Sequence, residues 1–207
     1  MTEKNYLIGI AGNIGVGKTT LTKRMAAKLG WETYFESVID NPYLSDFYND
    51  MNRWSFNLQI YFLAHRFRTL DYISKSGRNS IQDRTIYEDV EIFARSIYEQ
   101  GFMHERDYRT YRSLFYEMTK FIPAPDIIIY LKASPETLIR RIKSRGRQFE
   151  KTIDPNYIIY LNEAYARWME TAQNNFQIVT VETDHTDYVN KEKDLDELIE
   201  IVKRYCP

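Results

Sequence analysis

The chain has 207 residues, enough for one domain with a sizeable core, and its 28 basic and 29 acidic residues leave a formal net charge of −1. That balance excludes a global attraction to nucleic acid or to an anionic membrane, so any basic site must be local. The single cysteine, Cys206, excludes an internal disulfide and a cysteine metal cluster, the start carries no apolar signal core, and no apolar run approaches ~18 residues; we expect a cytoplasmic protein with no membrane span.

Tyr6-Leu-Ile-Gly-Ile-Ala11 is a short apolar run of the kind that forms a buried parallel strand. It leads into Gly12-Asn-Ile-Gly-Val-Gly-Lys-Thr19, which fits G-x-x-x-x-G-K-[ST], the phosphate-binding loop of nucleotide hydrolases and kinases. Gly12, Gly15 and Gly17 let the backbone turn tightly so that successive N–H groups face one point, Lys18 adds a positive charge there, and Thr19 supplies a hydroxyl for Mg²⁺. Leu21, Met25 and Leu29 then recur at helical spacing, and Gly30 can stop that helix. Strand, loop and helix together put phosphate at a helix N-terminus, where free N–H groups and the dipole favour anions. We therefore expect Gly12, Asn13, Ile14, Gly15, Val16, Gly17, Lys18, Thr19 and Thr20 to hold the phosphates of ATP.

Trp31 to Glu36 reads as a second strand ending in a carboxylate, and Asp40-Asn-Pro-Tyr43 as a turn that starts a short helix. Arg53 to about Ser74 is a long helix whose apolar stripe runs through Phe56, Ile60, Leu63 and Phe67. Asn79 to Asp83 is a brief strand, and Tyr87–Glu99 and Glu105–Phe121 are helical. Pro123 and Pro125 break the chain before Asp126-Ile-Ile-Ile-Tyr-Leu131, the clearest buried strand. Pro135 sits near the start of the next helix, Asp154-Pro155 opens another, Gln177–Glu182 is the last strand, and Asp194–Tyr205 the last helix. Five strands alternating with helices predict an α/β fold: a doubly wound parallel sheet flanked by helices, with ligands at the strands' C-terminal ends.

The chemistry-bearing residues fall at those ends. Glu36, at the end of the second strand and, in such a fold, next to the phosphate loop, can take a proton from an attacking hydroxyl, although a carboxylate in that place is more often simply solvated. Asp83, at the end of the third, can bind Mg²⁺ directly or through water, and Arg84 can reach phosphate or hold Glu36; the plain alternative is a surface ion pair. In Arg140-Arg-Ile-Lys-Ser-Arg-Gly-Arg147, Arg141 and Arg145 share a helix face and Gly146 lets Arg147 swing, so the run reads as an arginine-rich lid over about residues 144–153 rather than a solvated basic run. Gln59 and Arg66 lie two turns apart on one face of the long helix, and Asp89 begins another helix. A buried Gln59 would offer one donor and one acceptor to a nucleobase edge.

Together these stretches resemble the deoxynucleoside kinase family, the group of deoxycytidine, deoxyguanosine and deoxyadenosine kinases. The resemblance runs from Leu7 to about Glu182 and rests on the phosphate loop, Arg53-Trp-Ser-Phe-Asn-Leu-Gln59, Asp83-Arg-Thr-Ile-Tyr-Glu-Asp89 and Arg141-Ile-Lys-Ser-Arg-Gly-Arg147. It implies a single P-loop kinase domain over residues 1–207 that phosphorylates the 5′-hydroxyl of a deoxynucleoside with ATP and Mg²⁺. By the same resemblance Glu36 is the general base and Arg84 supports it, while Tyr48 and Glu150 hold the 3′-hydroxyl. Gln59, Arg66 and Asp89 read the base, Phe93 stacks on it, and Arg141, Arg145 and Arg147 are the lid arginines. The sequence departs from animal members in lacking Glu-Pro after the second strand, and in carrying Asp83-Arg84-Thr85 where the family has Glu-Arg-Ser. Asn41-Pro42-Tyr43-Leu44 looks like the bacterial deoxyadenosine/deoxyguanosine branch, so deoxyadenosine is the expected substrate, with deoxyguanosine or deoxycytidine as alternatives. A nucleoside monophosphate kinase would need further basic residues for its acceptor phosphate, and a non-catalytic nucleotide-binding regulator would not need Lys18, Thr19, Glu36 and Asp83 intact. The expected partners are the deoxynucleoside, the triphosphate and a second copy of the chain.

Overall fold

The phosphate loop leaves the middle of a parallel sheet. In a computed structural model that describes residues 4–35, 41–147, 150, 153–189 and 191–207, β1 (Leu7–Gly12) is buried along its whole length. On one side it pairs with β3 (Ser80–Asp83), which sets Asp83 opposite Ile10, and on the other with β4 (Ile127–Lys132), which sets Leu131 opposite Gly12. β2 (Glu32–Tyr34) lies outside β3 and β5 (Ile178–Glu182) outside β4, giving five parallel strands in the order β2-β3-β1-β4-β5. This order corrects one expectation. Strand two does not end beside the phosphate loop, because β3 intervenes; the neighbours of the loop are Asp83 and Arg84. Glu36 itself lies outside the described residues.

A parallel strand must bury both faces, and β1 does so by alternation. Ile8 and Ile10 pack with Leu21 and Met25 of α1 (Lys18–Leu29) and with Leu198 of α9 (Glu192–Lys203). On the other face, Leu7 joins Leu63, Leu70 and Phe115, from α3 (Met51–Ser76) and α6 (Glu105–Thr119). Ala11 joins Leu161, Tyr165 and Trp168 of α8 (Pro155–Ala172). No helix among the described residues is long and apolar enough to cross a membrane.

The helix boundaries follow local chemistry. Asp50 caps α3 by accepting from the Arg53 N–H at 3.1 Å, Ser134 and Pro135 open α7 (Pro135–Arg145), and Asp154 and Pro155 open α8. The short α2 (Leu44–Asn49) precedes α3. The stretch expected as one helix over 87–99 is instead three pieces: α4 (Ile86–Glu88), a π-helical segment Asp89–Ala94, and α5 (Arg95–Glu99). A π turn hydrogen-bonds one residue further along than an α turn, and such turns are frequent at functional sites.

At Gly15 the phosphate loop packs directly against α7. Gly15 has φ +84°, and a Cβ there would lie 2.8 Å from Ile142 Cγ1 and 3.1 Å from the Leu138 carbonyl oxygen of α7. Gly15→Ala is therefore expected to destabilise the protein by about 1–3 kcal/mol, the usual range for a strained backbone position. An unfolding midpoint equal to that of the parent in urea would show that loop and α7 are not in contact.

Candidate active site

A cleft of about 1100 Å³ opens at the C-terminal ends of the strands and joins the phosphate loop to the predicted base-reading residues. At one end Lys18 lies across the loop, its Nζ donating to the carbonyls of Gly12 at 2.7 Å and Asn13 at 3.0 Å. Asn13 fixes the loop to α8: its Nδ2 donates to the Ile158 carbonyl at 3.0 Å, while its Oδ1 accepts from the Ile14 N–H at 2.7 Å. The Thr19 hydroxyl donates to Asp83 Oδ2 at 2.5 Å, so the two residues expected at a metal stand together beside the loop.

Arg84 follows Asp83 with φ +74°, the one non-glycine residue in the left-handed region among those described. That backbone turn carries its side chain into the cleft wall. The guanidinium lies 4.4 Å from the centre of the Phe93 ring, donates to the Tyr165 hydroxyl at 3.1 Å and stands 3.6 Å from Glu88 Oε1. Glu88 has no exposed surface. Its Oε1 accepts from the Gly12 N–H at 3.1 Å and from the Tyr165 hydroxyl at 2.6 Å, and its Oε2 accepts from the Thr85 N–H at 2.7 Å and hydroxyl at 3.1 Å. Neither Glu88 nor Tyr165 was an expected site residue. Thr85-Ile-Tyr-Glu88 does fit the capping-box pattern and forms one, which was a legible signal for half of these contacts.

At the other end of the cleft Gln59 is buried, and its Oε1 has no hydrogen-bond partner among the described residues. Asp89, Phe93 and Tyr48 line the same space. Arg66 does not. It sits behind Asp89, holding that carboxylate through Nε at 2.5 Å and Nη2 at 3.1 Å, and donates from Nη1 to the Arg84 carbonyl at 3.1 Å. Arg66, expected to read the base with Gln59 and Asp89, forms a charged pair with Asp89 and also donates to the Arg84 backbone.

The arginines of α7 and of the turn after it divide into two kinds. Arg141 is tied down rather than mobile: Nη1 donates to the Val16 carbonyl at 3.1 Å and the Thr183 hydroxyl at 2.9 Å, and Nη2 to the Thr183 carbonyl at 2.9 Å. Arg145 and Arg147 both reach Glu150, at 2.5 Å and 3.5 Å from Oε1, and all three line the cleft. The segment after β5 also lines it, a contribution the sequence pattern did not mark. There the Tyr188 hydroxyl donates to the Val16 carbonyl at 3.3 Å, and burial pushes the Tyr188 phenol up to about 12.

The family model for deoxynucleoside kinases matches residues 8–207. The chain is 41% identical over 199 residues to the deoxyadenosine/deoxycytidine kinase of Bacillus subtilis, a match covering 95% of this chain and 91% of that protein. It is also 41% identical over 186 residues to the deoxyadenosine kinase of Dictyostelium discoideum, covering 90% of this chain and 75% of that one. Among solved structures, the deoxyadenosine kinase of M. mycoides with bound dCTP superposes with a TM-score of 0.84 at 31% identity, covering 96% of this chain and 99% of that one.

The Arg66–Asp89 pair has side chains only 5% and 3% exposed, so halving it leaves a buried charge without its partner. Asp89→Ala is expected to lower stability by about 3–5 kcal/mol, and changing both residues to Met by less than that. Urea unfolding of the two variants decides it. A double variant less stable than Asp89→Ala would mean that the pair is not the dominant interaction of either side chain.

Proposed function

The chain belongs to the deoxynucleoside kinase family, and we propose that deoxyadenosine is the substrate whose 5′-hydroxyl it phosphorylates from ATP, as one kinase domain with a lid over about residues 144–153. The observation that carries the substrate reading is the unpartnered Oε1 of buried Gln59, in the same cleft as the phosphate loop. Such an oxygen accepts from an exocyclic amine while the Nε2 of the same amide donates to a ring nitrogen, the order that adenine presents. Cytosine presents the same order, and one relative is named a deoxyadenosine/deoxycytidine kinase, so deoxycytidine is the second reading. Deoxyguanosine would require the amide to be flipped.

In this reading the loop N–H groups and Lys18 hold the triphosphate, in the manner of other phosphate loops. The Thr19 hydroxyl and the Asp83 carboxylate, 2.5 Å apart, offer the hard oxygen donors that Mg²⁺ prefers, and would hold it at the phosphates. When bound there, Mg²⁺ neutralises charge that builds up on the transferring group. Glu36 accepts the proton of the 5′-hydroxyl, a role that rests on its place in the sequence. Arg84 stands between Phe93 and Glu88, close enough to the cleft to steady that base and the transferring phosphoryl group. Arg145 and Arg147 supply positive charge to the phosphoryl group from the lid side, and Arg141 fixes the lid's stem to the loop. Tyr48 and Glu150 take the 3′-hydroxyl, Asp89 the base edge, and Phe93 the base face. Self-association belongs to the proposal too, since Leu114 and Tyr116 of α6 and Phe121 just after it are exposed. A cytoplasmic setting suits the lone, buried Cys206.

A coupled assay over deoxyadenosine, deoxycytidine, deoxyguanosine, thymidine and the monophosphates tests the assignment. The highest kcat/KM is expected for deoxyadenosine; a higher value for deoxyguanosine or for any monophosphate would sink the reading of Gln59. Glu36→Gln keeps the shape of the side chain but cannot accept a proton, so kcat is expected to fall ~10²–10⁴-fold with little change in the nucleoside KM. If kcat instead stays within a few-fold of the parent, the base lies elsewhere.

A further inference from the structure

Tyr165 is fully buried in the middle of α8, stacked on Tyr130 with ring centres 5.8 Å apart and edge-on to Trp168. A phenylalanine would make all of that packing. The hydroxyl is an additional polar group, and placing it there carries a desolvation cost unless it is bonded. It has three polar neighbours: the Arg84 Nη1 donates to it at 3.1 Å, and its one proton faces two acceptors, Glu88 Oε1 at 2.6 Å and the Gly12 carbonyl oxygen at 2.9 Å. Burial raises the phenol far above its ordinary range, so it stays protonated and remains a donor at any working pH.

What the three contacts join matters more than their number. Glu88 Oε1 also takes the Gly12 N–H, so the first residue of the phosphate loop is held at its N–H by Glu88, while its carbonyl oxygen lies 2.9 Å from the Tyr165 hydroxyl as the second acceptor within reach of that one proton. The same Gly12 carbonyl accepts from Lys18 Nζ at 2.7 Å, which links the grip to the lysine. Asn13, the next residue, meets Ile158 two turns earlier on α8. α8 itself begins at Pro155, five residues beyond Glu150, the partner of the lid arginines. One helix thus touches the phosphate loop and Arg84.

We propose that the Tyr165 hydroxyl is a positioning group for phosphoryl transfer, holding the Arg84 guanidinium and the Gly12 peptide in one fixed relation with Glu88 as its charged partner. Tyr165 touches no reacting atom in this account; it acts through Arg84 and Gly12. The proposal rests on the reading above that Arg84 serves the transfer step, so the test separates the two. A misplacement of about 1 Å in a positioned group lowers turnover by about a hundredfold, and loss of one oriented donor by a similar factor.

The experiment compares Tyr165→Phe, Arg84→Lys and the double variant in the full chain, with kcat and both KM values measured for deoxyadenosine and ATP, and thermal unfolding in parallel. Tyr165→Phe is expected to lower kcat about tenfold to a hundredfold, with both KM values within about threefold of the parent. In the Arg84→Lys background the same change is expected to have no further effect on kcat, since residues acting as a unit are not additive. A kcat within about twofold of the parent, a change confined to KM, or an equal loss in both backgrounds would each overturn the proposal. If Arg84→Lys keeps full activity, it is the role of Arg84 that fails instead. Should Tyr165→Phe not fold, Glu88→Gln, which keeps the carboxylate's shape, is held to the same criteria. If neither folds, the cluster serves stability and the proposal is wrong.

Discussion

A carboxylate with no exposed surface is tolerated only where donors and a counter-charge replace its water, because an uncompensated buried charge costs several kcal/mol. Glu88 meets that condition. It accepts from two backbone N–H groups and two hydroxyls, and Arg84 lies 3.6 Å away. Each of those donors belongs to something the site requires: Gly12 to the phosphate loop, Thr85 to the start of α4, Tyr165 to α8. Satisfying one buried charge therefore fixes three elements against each other. The left-handed backbone of Arg84, an unfavourable conformation of order 1–3 kcal/mol for a non-glycine residue, persists inside that over-determined surround.

The same seven residues, Asp83 to Asp89, run from the phosphate end of the cleft to the base end. Asp83 meets Thr19, Arg84 meets Phe93, Glu88 meets Gly12 and Asp89 meets Arg66. The two ends are also connected through the backbone, since Arg66 donates to the Arg84 carbonyl while holding Asp89 in a two-pronged pair. The π-helical turn that starts at Asp89 is part of this economy of space: it is the segment that presents both Asp89 and Phe93 to the cleft.

The legible parts of this molecule are those in which backbone chemistry restricts residue type. Positive φ at Gly12, Gly15 and Gly17 admits little else, so the loop was readable with its flanking strand and helix. The helix openings at Pro135 and at Asp154-Pro155 and the break at Gly146 were readable too, since a fixed φ, a side-chain cap and a left-handed turn each restrict residue type. The π turn was not, because it is made of ordinary helix formers and its register is set by what it packs against. Tyr165 was not singled out. Its hydroxyl partners lie 153, 77 and 81 residues away along the chain, and no local pattern encodes such distances. The place of β2 beyond β3 is likewise a property of topology. Glu36 had a strand end to recommend it, and lies outside the described residues.

Magnitudes divide the site's ion pairs into fixed and exchangeable ones. Arg66 and Asp89 are both almost fully buried and hold each other by two hydrogen bonds, so separating them leaves two desolvated charges. Arg145 and Arg147 are 34% and 37% exposed, and each loses less on leaving a partner than a buried group does, since water replaces it. The two share Glu150, whose side chain is 4% exposed, so one arginine can turn away while the other keeps that carboxylate paired. Arg141, two hydrogen bonds to Thr183 and one to Val16, stays with the loop. A buried charged pair at one end of the cleft, a held phosphate loop and two half-exposed arginines with one carboxylate between them would suit the group transfer proposed above, in which only the charge that follows the moving phosphoryl group has to move.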